Sequence, residues 1–377
     1  MTTKVTAAVL HTRGEPLTLK SLALDEPGPG EVWVQIQATG ICHTDIGVQE
    51  HHPLPAVLGH EGCGDVVRCG PDVTELAVGD RVVVTFDSCG TCRNCRDDQP
   101  AHCEEMASLN FSGVRRDGTT TLTDGSAAVH GSFFGQSSFA TTALCTVRNA
   151  IPVKPNGDPT LLAPLGCSVQ TGVGTVTNVL GAHRGSSIVC FGIGAVGACA
   201  IMAAVDVGCE TVIAVDINPE RLALASELGA THVSESNDSV VETIRTLTGG
   251  GADYAVETAG VKKTFHDAIA CTRIGGHTAL AAIPNWMEGF HFHAGDLAMG
   301  RTVTGVLEGS SVPHSFIPTL YQMIEQGRLP IDKLIKTYPF SDINQALDDL
   351  RTGRVVKPVL TMPALEESEI AGTGERT

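Results

Sequence analysis

Two textures of hydrophobic and polar positions divide the chain. From Lys4 to about Pro164 the apolar residues come in short runs. Glu31-Val-Trp-Val-Gln-Ile-Gln37 alternates with period two, the pattern of a half-buried strand. Gly59–Arg68 and Asp80–Phe86 are similar short segments bounded by Gly and Pro, and no helical period is sustained, so this part is predicted to be mostly β. Around Leu165 the texture changes. Apolar segments from Ile188, Val212, Tyr254 and Thr278 alternate with helical patterns such as Pro219–Leu228 and Ser239–Leu247, the signature of a parallel sheet with crossover helices. After about Leu307, amphipathic segments Ser315–Gln326 and Asn344–Thr352 lead to a strand, Val355–Thr361. Ala364–Thr377 is polar and aperiodic. The predicted class is α/β: a mostly β domain joined to a doubly wound parallel sheet, without internal repeats.

Within the second texture, Ile188–Phe191 reads as a buried strand that breaks into Gly192-x-Gly194-x-x-Gly197. An Ala-rich helical segment follows to about Val207, then a strand, Glu210–Asp216, ending on an acid. Three such glycines in a glycine-rich chain are a weak signal by themselves. With both strands present, and the acid about 20 residues downstream, the pattern is that of a Rossmann dinucleotide site. The turn residues Gly192, Ile193, Gly194, Ala195, Val196 and Gly197 are predicted to carry the pyrophosphate on the N–H groups at the helix start. Asp216 is predicted to accept from the ribose hydroxyls and to repel a 2′-phosphate, favouring NAD over NADP. Arg221, which can help a phosphate, follows the acid rather than replacing it and is counted among the coenzyme contacts.

Composition narrows the partners. The net charge of −17 argues against nucleic acid and anionic membrane surfaces. No apolar h-region follows Met1-Thr-Thr-Lys-Val, and no run reaches the roughly 18 apolar residues of a membrane helix, so a cytoplasmic location is expected. Thirteen cysteines is an odd number for a disulfide framework, and in a reducing compartment the clustered ones are expected to hold metal.

Cys89-x2-Cys92-x2-Cys95-x7-Cys103 places four soft ligands on one polar loop, which suits a closed tetrahedral structural Zn2+ site. An iron–sulfur cluster is the rival; the Pro that follows the last Cys of a bacterial ferredoxin run is absent. A second set is scattered: Cys42-His43-Thr44-Asp45, Gly59-His60-Glu61-Gly62, and Gly166-Cys167. Spacing alone does not connect these, and each taken singly reads as an ordinary packed residue.

Gly59-His-Glu-Gly62-x-Gly64, the Cys89–Cys103 lobe, Cys167 and the glycine turn occur in the order found in zinc-dependent medium-chain alcohol dehydrogenases. The resemblance covers about Lys4 to Met362. Within that family the chain is most similar to benzyl (aryl) alcohol dehydrogenases, with geraniol-type enzymes close by. The stretches that carry this are Ile41–Asp45, Pro53–His60, Gly166–Gly172 and Glu308–Pro313. The resemblance implies a GroES-like catalytic domain over residues 1–168, a Rossmann NAD-binding domain over 169–307, and a return to the catalytic domain over 308–377, with the cleft between them.

It also implies roles. Cys42, His60 and Cys167 match the catalytic zinc ligands, giving two zinc ions per chain with the four-cysteine site. Thr44 matches the hydroxyl that begins the proton relay, Glu61 an acid beside the metal, and Asp45 the acid that steadies the ligand imidazole. His43 matches a cation on the pyrophosphate, and a His there makes coenzyme affinity pH-sensitive. Thr171 matches a residue under the nicotinamide and Lys357 a basic partner of the phosphates; Ala281 and Ile283 complete the expected coenzyme contacts. The chain departs from many members at Gly47, where a histidine usually ends the relay; water is expected to replace it, with His51 as the alternative.

The expected reaction is reversible oxidation of a small aromatic or allylic primary alcohol to the aldehyde with NAD. Geraniol-type, glutathione-adduct and short aliphatic alcohol dehydrogenases are the alternatives, and a non-catalytic zinc and dinucleotide binder is a remote one. Glu50–Pro55 is expected to line the pocket mouth, with Phe86, Phe111, Phe133 and Trp286 as further lining. A homo-oligomer is expected through an edge strand at Val303–Glu308. His291 and His293 share one side of a strand and are read as exposed histidines rather than ligands.

Overall fold

The computed structural model describes residues 2–282, 289 and 292–363; Ile283, Trp286 and His291 lie outside the described residues. The chain forms two compact units. One takes the chain up to Cys167, Val312–Gln322 and the stretch from Asp332 on; the other takes Ser168–Ser311 and Met323–Ile331. The return expected from residue 308 is thus interrupted, because Met323–Ile331 packs with the second unit.

The first unit is built on two sheets. The period-two run becomes the strand Glu31–Gly40, which pairs antiparallel with Glu61–Cys69, Thr142–Thr146 and Lys357–Thr361. Its alternation puts Val32, Val34 and Ile36 into a core shared with Val66, Val82 and Val84. Short helices interrupt this β unit at His43–Gly47, Arg93–Arg96, Met106–Phe111 and Pro159–Leu162. None is longer than Met106–Phe111, at six residues, so none leaves a 3.6-residue period to read.

The second unit is a six-stranded, wholly parallel sheet. Its order is His232–Glu235, Thr211–Asp216, Ser187–Phe191, Ala252–Glu257, Thr272–Leu280 and Thr302–Gly305. Chain order reverses direction between Ser187–Phe191 and Ala252–Glu257, which makes the C-terminal ends of those two strands the topological switch point. Both strands are buried, and Val189, Phe191, Ala252 and Ala255 share a core with Ile213 and Ile244. Helices Pro219–Glu227 and Val240–Leu247 fall where the pattern predicts them. Among the described residues no helix is long and apolar enough to cross a membrane.

Candidate active site

In the first unit, strand ends bring the scattered set together. Cys42 lies just past the strand Glu31–Gly40 and precedes the helix His43–Gly47; His60 immediately precedes the strand Glu61–Cys69. Cys167 follows the short turn Ala163–Gly166, which is held by the Thr85 hydroxyl donating to the Gly166 carbonyl at 2.6 Å. The ligand atoms of Cys42, His60, Glu61 and Cys167 all lie within 4.8 Å of one another.

Asp45 organises one side of this cluster. Its carboxylate accepts from the Cys42 N–H at 2.9 Å, the Gly59 N–H at 3.1 Å and the His60 Nδ1–H at 2.9 Å. That last bond fixes the tautomer, so Nε2 is the ring nitrogen left to bind. Nε2 is buried and has no hydrogen-bond partner among the described residues. Such an orphan beside two thiols is what a metal ligand looks like without its ion.

The electrostatics agree. The Cys167 sulfur outweighs burial and holds the Cys42 thiol well below its usual range. Burial works against a charged His60, but Asp45 and Cys42 raise its pKa well above the ordinary value. The cluster therefore favours positive charge at its centre, and two thiolates with one imidazole and an open fourth position fit a catalytic Zn2+. The Thr44 hydroxyl lies 3.7 Å from the Cys42 sulfur. Gln136, missed in the sequence, binds the strands behind the site, donating to the His60 and Thr85 carbonyls at 3.0 and 3.1 Å.

Lys357, expected as a basic partner of the coenzyme phosphates, is buried, with Nζ at 2.9 Å from both Glu61 oxygens and 3.0 Å from the Ile41 carbonyl. An ammonium has three protons, and these three acceptors use them. Burial opposes its charge, but Glu61 and Cys42 raise its pKa. Burial likewise pushes the Glu61 carboxyl up while Lys357 pulls it back. Gly40 is required here: a Cβ would stand 1.9 Å from Glu61 Oε2. His43 and His51 are both exposed.

Aromatic rings close over the imidazole. His60 meets Phe133 edge-on at 5.6 Å between centroids and Phe134 at 4.6 Å, and Phe111 packs on Phe134 at 5.1 Å. Phe134, not singled out in the sequence, adopts φ 51°, an uncommon conformation for a bulky residue. Phe86 is buried in the same core.

The four-cysteine lobe is local. Cys89, Cys92, Cys95 and Cys103 bring their sulfurs within 4.8 Å of one another, and no disulfide forms. Backbone N–H groups point at the sulfurs: Cys89 N to Cys103 at 3.2 Å, Cys92 N to Cys89 at 3.2 Å, and Cys95 N to Cys92 at 3.4 Å. Burial raises the Cys89 thiol, but the N–H groups of Thr91 and Cys92 bring it down to about 6. Thiolates solvated by amides suit a closed Zn2+ site.

In the second unit each glycine of the turn has a separate duty. Gly192 has φ 84°, Gly194 has open space where a Cβ would stand, and a Cβ on Gly197 would lie 1.9 Å from the Gly192 carbonyl. These correspond to a tight turn, ligand approach and helix–sheet packing. The helix Ala195–Val207 begins here with no side-chain cap, leaving its first N–H groups for an anion. Asp216 ends its strand, accepting from the Ile193 N–H at 2.6 Å and the Asn218 N–H at 2.9 Å. Arg221 lies within the influence of the Asp216 charge. Ile217, beside Asp216 and without a signal in the sequence, is an apolar residue left 78% exposed. Thr171 is buried in the helix Ser168–Gly174, and the Ala281 N–H donates to the Glu257 carbonyl at 2.9 Å.

Known proteins share this arrangement. Residues 28–155 match the alcohol dehydrogenase GroES-like domain and residues 195–326 the zinc-binding dehydrogenase domain. A geraniol dehydrogenase from Castellaniella defragrans is 40% identical over 360 residues, covering 94% of this chain and 96% of that one. Alcohol dehydrogenase 1 of Petunia hybrida is 32% identical over 369 residues, with 94% and 96% covered. Among solved structures, benzyl alcohol dehydrogenase from Acinetobacter calcoaceticus superposes with a TM-score of 0.92 at 41% identity, covering 96% of this chain and 99% of that one. An alcohol dehydrogenase zinc-binding domain protein from Burkholderia ambifaria gives 0.93 at 45% identity, covering 97% and 100%. A GroES-like domain beside a Rossmann domain defines the medium-chain dehydrogenase class. The chain belongs to its zinc-dependent alcohol dehydrogenases, and zinc and NAD are its cofactors.

Proposed function

We propose that the protein oxidises small aromatic or allylic primary alcohols to aldehydes, reversibly, with NAD. The observation that carries the substrate class is Phe133 and Phe134 packed on His60 with Phe111 against them, which favours a flat apolar group beside the metal ligands. Cys42, His60 and Cys167 hold the catalytic zinc, and Cys89, Cys92, Cys95 and Cys103 the structural one. When bound, zinc would supply a Lewis acid for the alcohol oxygen and NAD a hydride acceptor.

The chain's own residues supply the rest. Asp45 fixes the His60 ring so that Nε2 faces inward. The Thr44 hydroxyl receives the alcohol proton and passes it to water, since Gly47 offers no side chain to continue the relay. Lys357 holds the Glu61 carboxylate as an ion pair beside the zinc ligands. On the coenzyme unit, the turn Gly192–Gly197 binds the pyrophosphate, Asp216 the ribose, and Ile217 gives the adenine an apolar surface.

A cytoplasmic homo-oligomer is part of this reading. Thr302–Gly305 is an edge strand of the parallel sheet, and Leu297, Met299 and Leu307 near it are exposed. Sedimentation of a dimer or larger species supports that, and a monomer at micromolar concentration removes it.

The substrate test is NADH formation by zinc-replete protein, comparing kcat/KM for benzyl alcohol, geraniol and ethanol. Benzyl alcohol or geraniol should exceed ethanol by at least about tenfold, the order of effect an apolar pocket gives. Ethanol equal to either would overturn the substrate class. Geraniol well ahead of benzyl alcohol would move the assignment to the allylic side, in keeping with the 40% identical geraniol dehydrogenase.

A further inference from the structure

Glu257 is a fully buried acid with no cationic partner in the hydrogen bonds it makes. It ends the central strand Ala252–Glu257 at the switch point, and its register partner is Phe191, the residue before the glycine turn. One oxygen, Oε1, accepts from the Ala259 N–H at 3.0 Å and the Gly260 N–H at 2.9 Å, and it shares the Thr264 hydroxyl, at 2.7 Å, with the Val261 carbonyl, also at 2.7 Å. The other, Oε2, has no hydrogen-bond partner among the described residues. The neutral loop after the strand is therefore folded around one carboxyl.

That loop is the backing of the coenzyme turn. The Ala259 nitrogen that donates to Oε1 would stand 2.8 Å from a Cβ on Gly192. The Thr258 hydroxyl donates to the Gly192 carbonyl at 2.6 Å and to the Phe191 carbonyl at 3.0 Å. It would also lie 2.9 Å from a Cβ on Gly197, where the helix begins. Carboxyl, loop and glycine turn are thus in direct succession.

We propose that Glu257 is a positioning residue of the coenzyme site, holding the loop behind Gly192 and Gly197 and taking up a proton when the dinucleotide's phosphates bind. The proposal rests on the coenzyme turn assigned above. A buried anion behind the turn repels the pyrophosphate through a medium that screens poorly, whereas a neutral carboxyl does not. Burial pushes this carboxyl up to about 7, against the Thr264 hydroxyl and the Gly260 and Ala259 N–H groups that favour its charged form. Both forms are therefore accessible near neutral pH, and coenzyme affinity falls as pH rises through that range.

Charged groups on the elements packed around Glu257 are engaged elsewhere. On the helix Lys262–Ala270, Lys263 pairs with Asp267 at 2.7 Å, Lys262 is exposed, and the half-buried His266 meets the His293 ring at 6.2 Å. On the strand Thr272–Leu280, Arg273 pairs with Asp253 at 2.6 Å and His277 meets the Thr304 hydroxyl at 2.9 Å. On the helix Ala195–Val207, Asp206 pairs with Arg328 at 2.6 Å. The Cys190 thiol on the strand Ser187–Phe191 is pushed up to about 12 by burial and stays neutral.

The test uses the zinc-loaded full chain and titrates NAD and NADH by calorimetry and fluorescence from pH 5.5 to 9, in buffers of different ionisation enthalpy. Wild type should lose about fivefold or more in affinity across this range, the scale of ordinary site–site coupling, with net proton uptake on binding near pH 7. Glu257→Gln, which mimics the neutral acid, should bind at the wild-type low-pH affinity throughout and take up no proton at this site. Thr264→Val removes a donor that favours the anion, so the midpoint should move to higher pH. His43→Arg is run in parallel as a control for the exposed imidazole next to Cys42. A Glu257→Gln profile that still follows wild type, or a Thr264→Val midpoint that does not move, overturns the proposal and leaves the coenzyme site standing. Wild type that binds neither NAD nor NADH at any pH removes the coenzyme assignment itself.

Discussion

The two cysteine sites are built on opposite plans. In the Cys89–Cys103 lobe the ligands lie within one loop and backbone N–H groups orient the sulfurs. In the Cys42–His60–Cys167 cluster the ligands come from distant parts of the chain, and side chains do the orienting: Asp45 on His60, Gln136 on the His60 carbonyl, Lys357 on Glu61. A local site needs its metal in order to fold, having little else in its core. A dispersed site is held by the surrounding sheets, which leaves it free to keep a coordination position open for chemistry.

The largest break in this comparison is Cys95→Ser. Structural zinc contributes about 10–16 kcal/mol in small zinc-finger peptides, and the lobe's own core amounts to the cysteines, Leu109 and Met106. The variant should lose the lobe zinc and become protease-sensitive within residues 89–111, as read by mass spectrometry of early fragments. A lobe that stays protected without its metal would mean that the lobe does not depend on zinc to fold. Cys42→Ser is the converse. It should lower kcat/KM by about 10³-fold or more, because several kcal/mol of alkoxide stabilisation go with the metal. Its circular dichroism and melting should stay close to wild type, with metal content reduced by the catalytic ion alone.

Lys357→Met sharpens the role of side chains in the dispersed site. Removing one partner of a buried ion pair costs about 3–5 kcal/mol, because the carboxylate left behind loses its counter-charge. Glu61 would then have a pKa raised further by burial, since Lys357 now opposes that rise. A carboxyl whose folded pKa is raised favours the folded state at low pH. The variant's deficit should therefore be smallest below the unfolded value near 4.5 and grow as pH rises through the raised value. Glu61→Gln in the same chain should recover much of the loss at pH 8. Asp45→Asn is milder: zinc affinity at the dispersed site should fall about 10- to 100-fold while the lobe keeps its ion, as chelator competition can measure.

The same contrast governs what could be read from the sequence. The lobe and the glycine turn were legible because their chemistry is set by spacing along a few residues. The pairing of Lys357 with Glu61 is not legible because the two lie 296 residues apart, and the pairing of Val359 with Gly40 brings the ammonium to Glu61 and the Ile41 carbonyl. Phe134 carried no signal, since an apolar residue in a β unit reads as core until its neighbours are known. Glu257 left a faint one, an acid closing a buried strand just before Thr-Ala-Gly, but its burial depends on the sheet on either side. The amphipathic helices were located to within a residue or two, whereas the helix Ser168–Gly174, buried throughout, showed no period.

The smallest expected effect concerns the proton leaving the dispersed site. Gly47, in the helix after Cys42, cannot pass a proton, and His51 is the next imidazole after it along the chain. His51 is exposed, so water already reaches the region it would serve. If water completes the relay from Thr44, His51→Gln should leave kcat within about twofold and keep the pH–rate profile unchanged, because general-base catalysis by a positioned imidazole contributes 10²–10⁴-fold where it operates. A slowing of that larger size, restored by added imidazole, would assign the relay to His51. It would also show that even this water-accessible edge of the site is organised by a side chain rather than by solvent.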